Sequence, residues 1–286
     1  MSARKFMGIL SASLIFAAPA PAQNGLAWKF QTGQVFLAER TATQKQTVQI
    51  HGKDFTQQQK SVGHIRLEVK DKRADNFVVL ATLTKVEQQL ADEADIVDAK
   101  LSEKMQGSVF VLEVTPQGRI VQMQGYEDFL KRLACQDKVQ LKALRGTFSE
   151  DSLKDALADL FGPLPNKEKF WQREYLEPIP HFGTLRSMAK YEFVGTKQGG
   201  EVIDYTIQTK YEIPKADKAG LFRVVKGTIG TDQARGSITF DKAAGHLVEH
   251  ERTMLLRGTL TIEMMDRQQP IEFRSENVVR IRVKKK

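Results

Sequence analysis

Apolar and polar residues alternate with period two through most of this 286-residue chain, with turn residues between the runs. Successive strand side chains point to opposite faces, so the pattern specifies antiparallel strands, each with one buried face. Ile65, Leu67 and Val69 fall on one side, and His64, Arg66 and Glu68 on the other. Residues 35–50 read as a long, unusually polar strand that turns at His51-Gly52-Lys53-Asp54 and returns over 55–69. The cluster 71–76 breaks the chain, and 77–86 carries apolar residues on both faces, the mark of a well-buried strand. A short strand is expected near Ile96, with a helical turn before Gly107. Strands 108–114 and 119–123 flank Thr115-Pro116-Gln117-Gly118, where proline presets the turn and glycine supplies the positive φ.

Over 126–161 the period changes. Tyr126, Phe129, Leu130 and Leu133 are spaced for a helix, as are Leu153, Leu157, Leu160 and Phe161. Ser149 before Glu150 and Asp151 suits a helix start, and Gly162-Pro163 a stop. Strands then resume at Phe170-Trp171 and over 185–194, 202–213, 222–229, 237–240, 247–262 and 271–283. The fold class is mainly β (a β-rich α+β chain), with a large curved antiparallel sheet and one helical block. Gly107-Ser108-Val109-Phe110 with Gly118-Arg119-Ile120-Val121 is echoed by Gly236-Ser237-Ile238-Thr239-Phe240 with Gly245-His246-Leu247-Val248. Trp28 is echoed by Trp171, and the Phe77 strand by the Val202 strand. The chain thus divides into a leader (1–22), a first β unit (23–125), a helical block (126–163) and a second, related β unit (164–286), with one continuous domain as the alternative.

Arg4 and Lys5, an apolar run over 6–18 and the triplet Ala20-Pro21-Ala22 compose a secretory signal cut after Ala22. The apolar run is too short to span a hydrocarbon core of about 30 Å, so an anchor is disfavoured and a soluble periplasmic or secreted body is expected. The single cysteine, Cys135, excludes an intramolecular disulfide and is expected as a small buried hydrophobe within a helix. A formal charge of +8 would suggest nucleic acid in a cytoplasmic protein. Here the excess gathers at the C-terminus, in Arg280, Arg282, Lys284, Lys285 and Lys286, alternating with Ile281 and Val283. Outside the cytoplasm anionic envelope surfaces are the available targets, so these five residues are the candidate contact. The alternative is a solvated face ending in a frayed tail.

Several stretches resemble an uncharacterised family of exported bacterial proteins, a domain-of-unknown-function family. They are Trp28-Lys29-Phe30 with Gly33, then Val114-Thr115-Pro116-Gln117-Gly118-Arg119-Ile120 through Gly125-Tyr126-Glu127-Asp128-Phe129-Leu130, then Phe161-Gly162-Pro163-Leu164-Pro165. Gly236-Ser237-Ile238-Thr239-Phe240-Asp241, Gly245-His246-Leu247-Val248 and Arg257-Gly258-Thr259-Leu260-Thr261-Ile262-Glu263 complete the series. Their order along the chain carries the resemblance. Lys169-Phe170 precedes Trp171 where the family pattern has Gly-Asp. The resemblance implies an exported β-rich fold and assigns no activity or site residue.

No catalytic, metal-binding or cofactor-binding signature stands out. Of His51, His64, His181, His246 and His250, only the last two are close. They lack the His-Glu-x-x-His order of zinc proteases and lie about 13 Å apart on a strand, which reads as solvated. No Gly-x-Ser-x-Gly elbow or phosphate-cradling loop occurs, and Glu127-Asp128 and Glu150-Asp151 are explained as helix starts. The sequence therefore points to a non-catalytic envelope protein without cofactor, with two readings open. One binds a protein or polymer, with residues 41–51 as an open sheet edge for strand addition. The other carries or senses a hydrophobic ligand, in the manner of periplasmic lipoprotein carriers.

Overall fold

The computed structural model describes residues 25–90, 95–135, 137–165, 168–179, 183–197, 199–213, 223–264 and 267–286. The leader and His181 lie outside these. Among the described residues, eleven strands form one antiparallel sheet in the order β5-β4-β3-β2-β1-β11-β10-β9-β8-β7-β6. The N-terminal arm comprises β1 (Val35–Ile50), β2 (Lys53–Arg73), β3 (Asn76–Leu90), β4 (Val109–Val114) and β5 (Ile120–Gln124). The C-terminal arm comprises β6 (Phe170–Ile179), β7 (Gly183–Lys197), β8 (Gly200–Glu212), β9 (Arg223–Asp241), β10 (His246–Met264) and β11 (Arg267–Lys285). The arms join where β1 pairs with β11 along its whole length. β1–β5 and β6–β10 are two five-stranded meanders laid in the same sense across the sheet.

Helix α1 (Asp95–Met105) links β3 to β4, and α2 (Tyr126–Ala134), α3 (Lys138–Thr147) and α4 (Glu150–Ala158) link the two outermost strands. Ser149 caps α4 by accepting from the Ser152 amide, and Asp137 caps α3. Helical structure replaces the short strand expected near Ile96. Leu101 and Met105, about one helical turn apart on α1, both pack on the core. The strands expected over 222–229 and 237–240 are parts of one long β9. Cys135 is exposed, not buried: it ends α2 in the left-handed conformation, turned out of the packed face. Residues 41–50 lie in the middle of the sheet, paired on both sides, so they offer no free edge.

One face of the sheet is buried. Phe36, Ala38, Ile65, Leu67, Val79, Phe110, Leu112, Ile203, Ile238 and Ile281 are all 5% exposed or less, and the cross-strand register keeps them on the same side. The helices pack chiefly on β3, β5 and β6, yet Leu256, Leu260, Ile271 and Phe273, far from those strands, are also buried in the same cluster. The sheet therefore covers itself by curling. α4 touches both β5 and β6, its two ends. The segment before β1 closes one end of this curl: the Trp28 amide donates to Pro116 O (2.7 Å) and the Lys29 amide to Gly245 O (2.9 Å). Trp28 Nε1 donates to Phe161 O (2.8 Å), and the indole packs among Phe30, Phe36, Phe161 and Phe240. The two echoed hairpins, β4–β5 and β9–β10, thus receive the same aromatic plug.

Candidate functional site

Away from the plug, the inner face divides in two. On the C-terminal arm it is apolar and sealed by Leu185, Ile207, Val224, Ile229, Leu256, Leu260, Ile271 and Phe273, all 7% exposed or less. On the N-terminal arm, register places Ala42, Gln44, Gln46, Val48 and Ile50 of β1 opposite Ser61, Gln59, Gln57, Phe55 and Lys53 of β2. Those β1 residues are half-buried; on β2, Gln59 and Ser61 are half-buried, Gln57 is exposed and Phe55 is 57% exposed. Asn277 and Ser275 of β11 continue the row beyond Gln44 and Gln46. Among the described residues, the Asn277 side-chain oxygen is buried without a hydrogen-bond partner. Left unmade, such a bond costs about 1–3 kcal/mol, so this carbonyl favours a donor brought by a ligand or water. The result is a half-open trough lined chiefly by amides and hydroxyls, with Val48, Ile50 and Phe55 between them and Lys53 at one end. The sequence signalled it only as the unusual polarity of residues 35–50; which face those residues shared was set by register.

A second cluster lies under the end of α4, with His250, Tyr191 and Tyr205 buried at its centre. His250 is 4% exposed, not solvated as expected: a register shift between Leu247 and Glu249 breaks the alternation and turns His250 inward beside Ile238. Its Nδ1–H donates to the Asp159 carbonyl (3.3 Å), so Nε2 accepts from the Tyr205 hydroxyl (2.7 Å). Burial pushes the imidazole below its ordinary pKa, with the Asp159 carboxylate opposing and Arg252 adding to the fall. Arg252 lies 3.8 Å from that carboxylate. The Tyr175 and Tyr191 hydroxyls bond each other, Trp171 stacks on Tyr191 at 5.2 Å, and Arg173 reaches Asp155 of α4 (3.5 Å). Burial raises all three tyrosine phenols, which stay protonated. This network, buried at His250, Tyr191 and Tyr205 and part-exposed at Arg173, Asp155 and Arg252, ties α4 to the sheet.

The five C-terminal cations lie along one strand but divide chemically. Arg282 donates to Glu249 (2.8 Å) and Arg280 to Glu251, both across from β10, and the carboxylate beside Arg282 raises its pKa further. Lys284 borders a shallow outer groove with Leu37, His64 and Lys85, while Lys285 and Lys286 are exposed. The end is paired, not frayed: β11 runs to Lys285, and the Lys286 amide donates to Val35 O (2.9 Å). Three cations thus remain uncompensated where the sequence suggested five. His246 is half-buried against the Phe36 ring (5.7 Å) and does not join His250. Among the described residues, no group of three or more metal-ligating side chains gathers, and no helix is long and apolar enough to cross a membrane.

No protein-family model matches the chain, and no curated protein matches it in sequence. Among solved structures, one on lipid–protein interactions in lipovitellin matches over 88% of this chain at 10% identity, with a TM-score of 0.41. The chain spans about a quarter of that protein's length, 25%. DynF of the dynemicin biosynthesis pathway of Micromonospora chersina matches 97% of this chain and 92% of its own at 8% identity, with a TM-score of 0.21. An outer membrane channel from Pseudomonas putida F1 matches 93% of this chain and 99% of its own at 8% identity, with a TM-score of 0.19. These likenesses are to β-rich folds and are too low to carry any functional argument. The chain is a large curled antiparallel sheet with a helical block bridging its ends.

Proposed function

We infer that this chain is an exported, non-catalytic envelope protein that holds a partner polymer or polypeptide in the trough of its N-terminal arm. The reading rests on one observation. A single curled face is sealed by its own apolar side chains on one arm and left half-open on the other, where amides and hydroxyls line it. An apolar cargo gains by removing apolar surface from water, and buried amides facing it would lose their hydrogen bonds. A chain rich in hydroxyls or peptide groups satisfies such a lining and packs on Val48, Ile50 and Phe55 between the amides. Export is supported by the composition of residues 1–22 and by the resemblance to exported proteins. The alternative is a carrier of a hydrophobic ligand, to which the curled sheet with helices across its ends is suited.

A photoreactive residue placed at Gln57 or Gln46 in cells, with the native protein examined by mass spectrometry, separates the two. Crosslinks to a polypeptide or glycan from both positions support the trough. Stoichiometric retained lipid, with crosslinks to lipid alone, overturns it in favour of the carrier.

A further inference from the structure

On the outer face of the C-terminal arm, register sets two rows of side chains straight across the strands. Phe170, Glu192, Asp204, Ser237 and Glu251 form one row, on β6 to β10 in turn. Lys190, Thr206 and Arg235 form the next, each two residues from its neighbour in the first and so about 7 Å away. Both rows line a groove of about 610 Å³ beside Gly236, where the sheet coils sharply. Glu192 stands directly opposite Asp204, a like-charge pairing that weakens a sheet. Lys169 reaches Glu192 (3.6 Å) and Arg280 pairs with Glu251, both from outside the groove. Among the described residues, the exposed Asp204, Lys190 and Arg235 make no ion pair or side-chain hydrogen bond. Folding by itself favours pairing such charges with each other; holding them a row apart along one groove is the arrangement of a binding site.

We propose that this groove binds a short peptide with both ends free, about two to three residues long. Its ammonium is held by Glu192 and Asp204, and its carboxylate lies over Thr206 between Lys190 and Arg235. The charges select the chemistry: an acidic row beside a cationic row is complementary to a ligand carrying both signs, and each row opposes a ligand of its own sign alone. The spacing selects the length. An extended chain spans at most about 3.3–3.6 Å per residue, so a dipeptide bridges the rows and a tripeptide does so slightly bent. Lys190 and Arg235 stand two strands apart, about 9–10 Å, so both long side chains reach one carboxylate from opposite sides. Phe170, 62% exposed at the end of the acidic row, gives an apolar contact to a peptide side chain near the ammonium. A phosphoethanolamine headgroup carries the same two signs but holds them closer together than the rows are. The groove lies on the face opposite the trough, so this proposal and the trough reading stand or fall separately.

The test is calorimetric titration of the full mature chain with alanyl-leucyl-alanine, with the same peptide N-acetylated or C-amidated, and with glycerophosphoethanolamine. Two paired variants accompany it, Glu192→Gln with Asp204→Asn, and Lys190→Gln with Arg235→Gln. All four residues are exposed, so the sheet is kept. Saturable binding of the free tripeptide is expected, weakened about tenfold or more by either cap, as the loss of a charge-assisted contact requires. The variants then locate the ends. With the acids neutralised, N-acetylation costs less than about threefold while amidation keeps its effect; with the cations neutralised, the reverse holds. Three results overturn the proposal: no saturable binding, caps without effect, or caps that cost as much in the variants as in the parent, which would place the peptide elsewhere. Tighter binding of glycerophosphoethanolamine than of the tripeptide also overturns it, by giving the groove to a lipid headgroup.

Discussion

The far ends of the two arms begin as the same kind of object, long antiparallel hairpins in one sheet, and finish differently. In the C-terminal arm the inner row is closed; in the N-terminal arm it is half-open. Side-chain character is half of the cause, since Leu260, Ile271 and Phe273 stand where the other arm has Gln57, Gln59 and Ser61. Backbone is the other half. A Cβ on Gly258 would lie 2.0 Å from the Thr228 carbonyl, and one on Gly236 would lie 2.3 Å from the Tyr205 ring that covers it from the next strand. Such approaches need a sharply coiled sheet, and glycine permits them. Gly63 in the N-terminal arm meets only Ile65, at 4.0 Å. The lesson is that inward glycines pressed against the neighbouring strand let an arm close on itself, and an arm whose inward Gly63 is not so pressed stays open.

This contrast is most directly broken by truncating side chains. Leu260→Ala is expected to cost about 3–4 kcal/mol in urea unfolding, and Val48→Ala less than about 1 kcal/mol. Equal costs would mean that the N-terminal arm is as closed as the other. Glycine substitution comes next. Gly258→Ala is expected to lose about 2–3 kcal/mol, because the obstacle is backbone, whereas Gly63→Ala stays within about 0.5 kcal/mol. A tolerant Gly258 would remove the coiling argument.

Acid sharpens the comparison through His250. Its pKa is lowered in the folded state, so as pH falls the unfolded chain takes up the proton first. Stability from this group is whole above about pH 6.5 and declines below it, by at most about 1.4 kcal/mol per pH unit. Burial raises the pKa of Asp155, which acts with the opposite sign and only nearer the carboxylate range. His250→Gln should flatten the decline between pH 6.5 and 5; an unchanged slope there assigns it to other groups. The smallest effect belongs to the surface. Arg282→Ala, removing an exposed ion pair to Glu249, is expected to move the urea unfolding midpoint least of all these variants, and by less still as salt is added.

The candidate sites were unevenly legible. The C-terminal cations were plain as residues, but their neutralisation by Glu249 and Glu251 required knowing which strand lies beside β11. His250 was read as solvated because alternation was carried straight through a bulge that one sequence does not announce. The polar stretch of β1 suggested an edge, since polar strands usually are; it lies at the centre instead, and β5 and β6 are the outermost strands.

Most strands, the hairpin turns and the helical interruption followed from residues a few positions apart, because pleat, turn geometry and capping are local and each leaves a mark at fixed spacing. Strand order, the inward turn of His250 and the difference between a sealed arm and an open one depend on contacts between residues far apart in the chain. Those were decided by how eleven strands curl to bury one shared face.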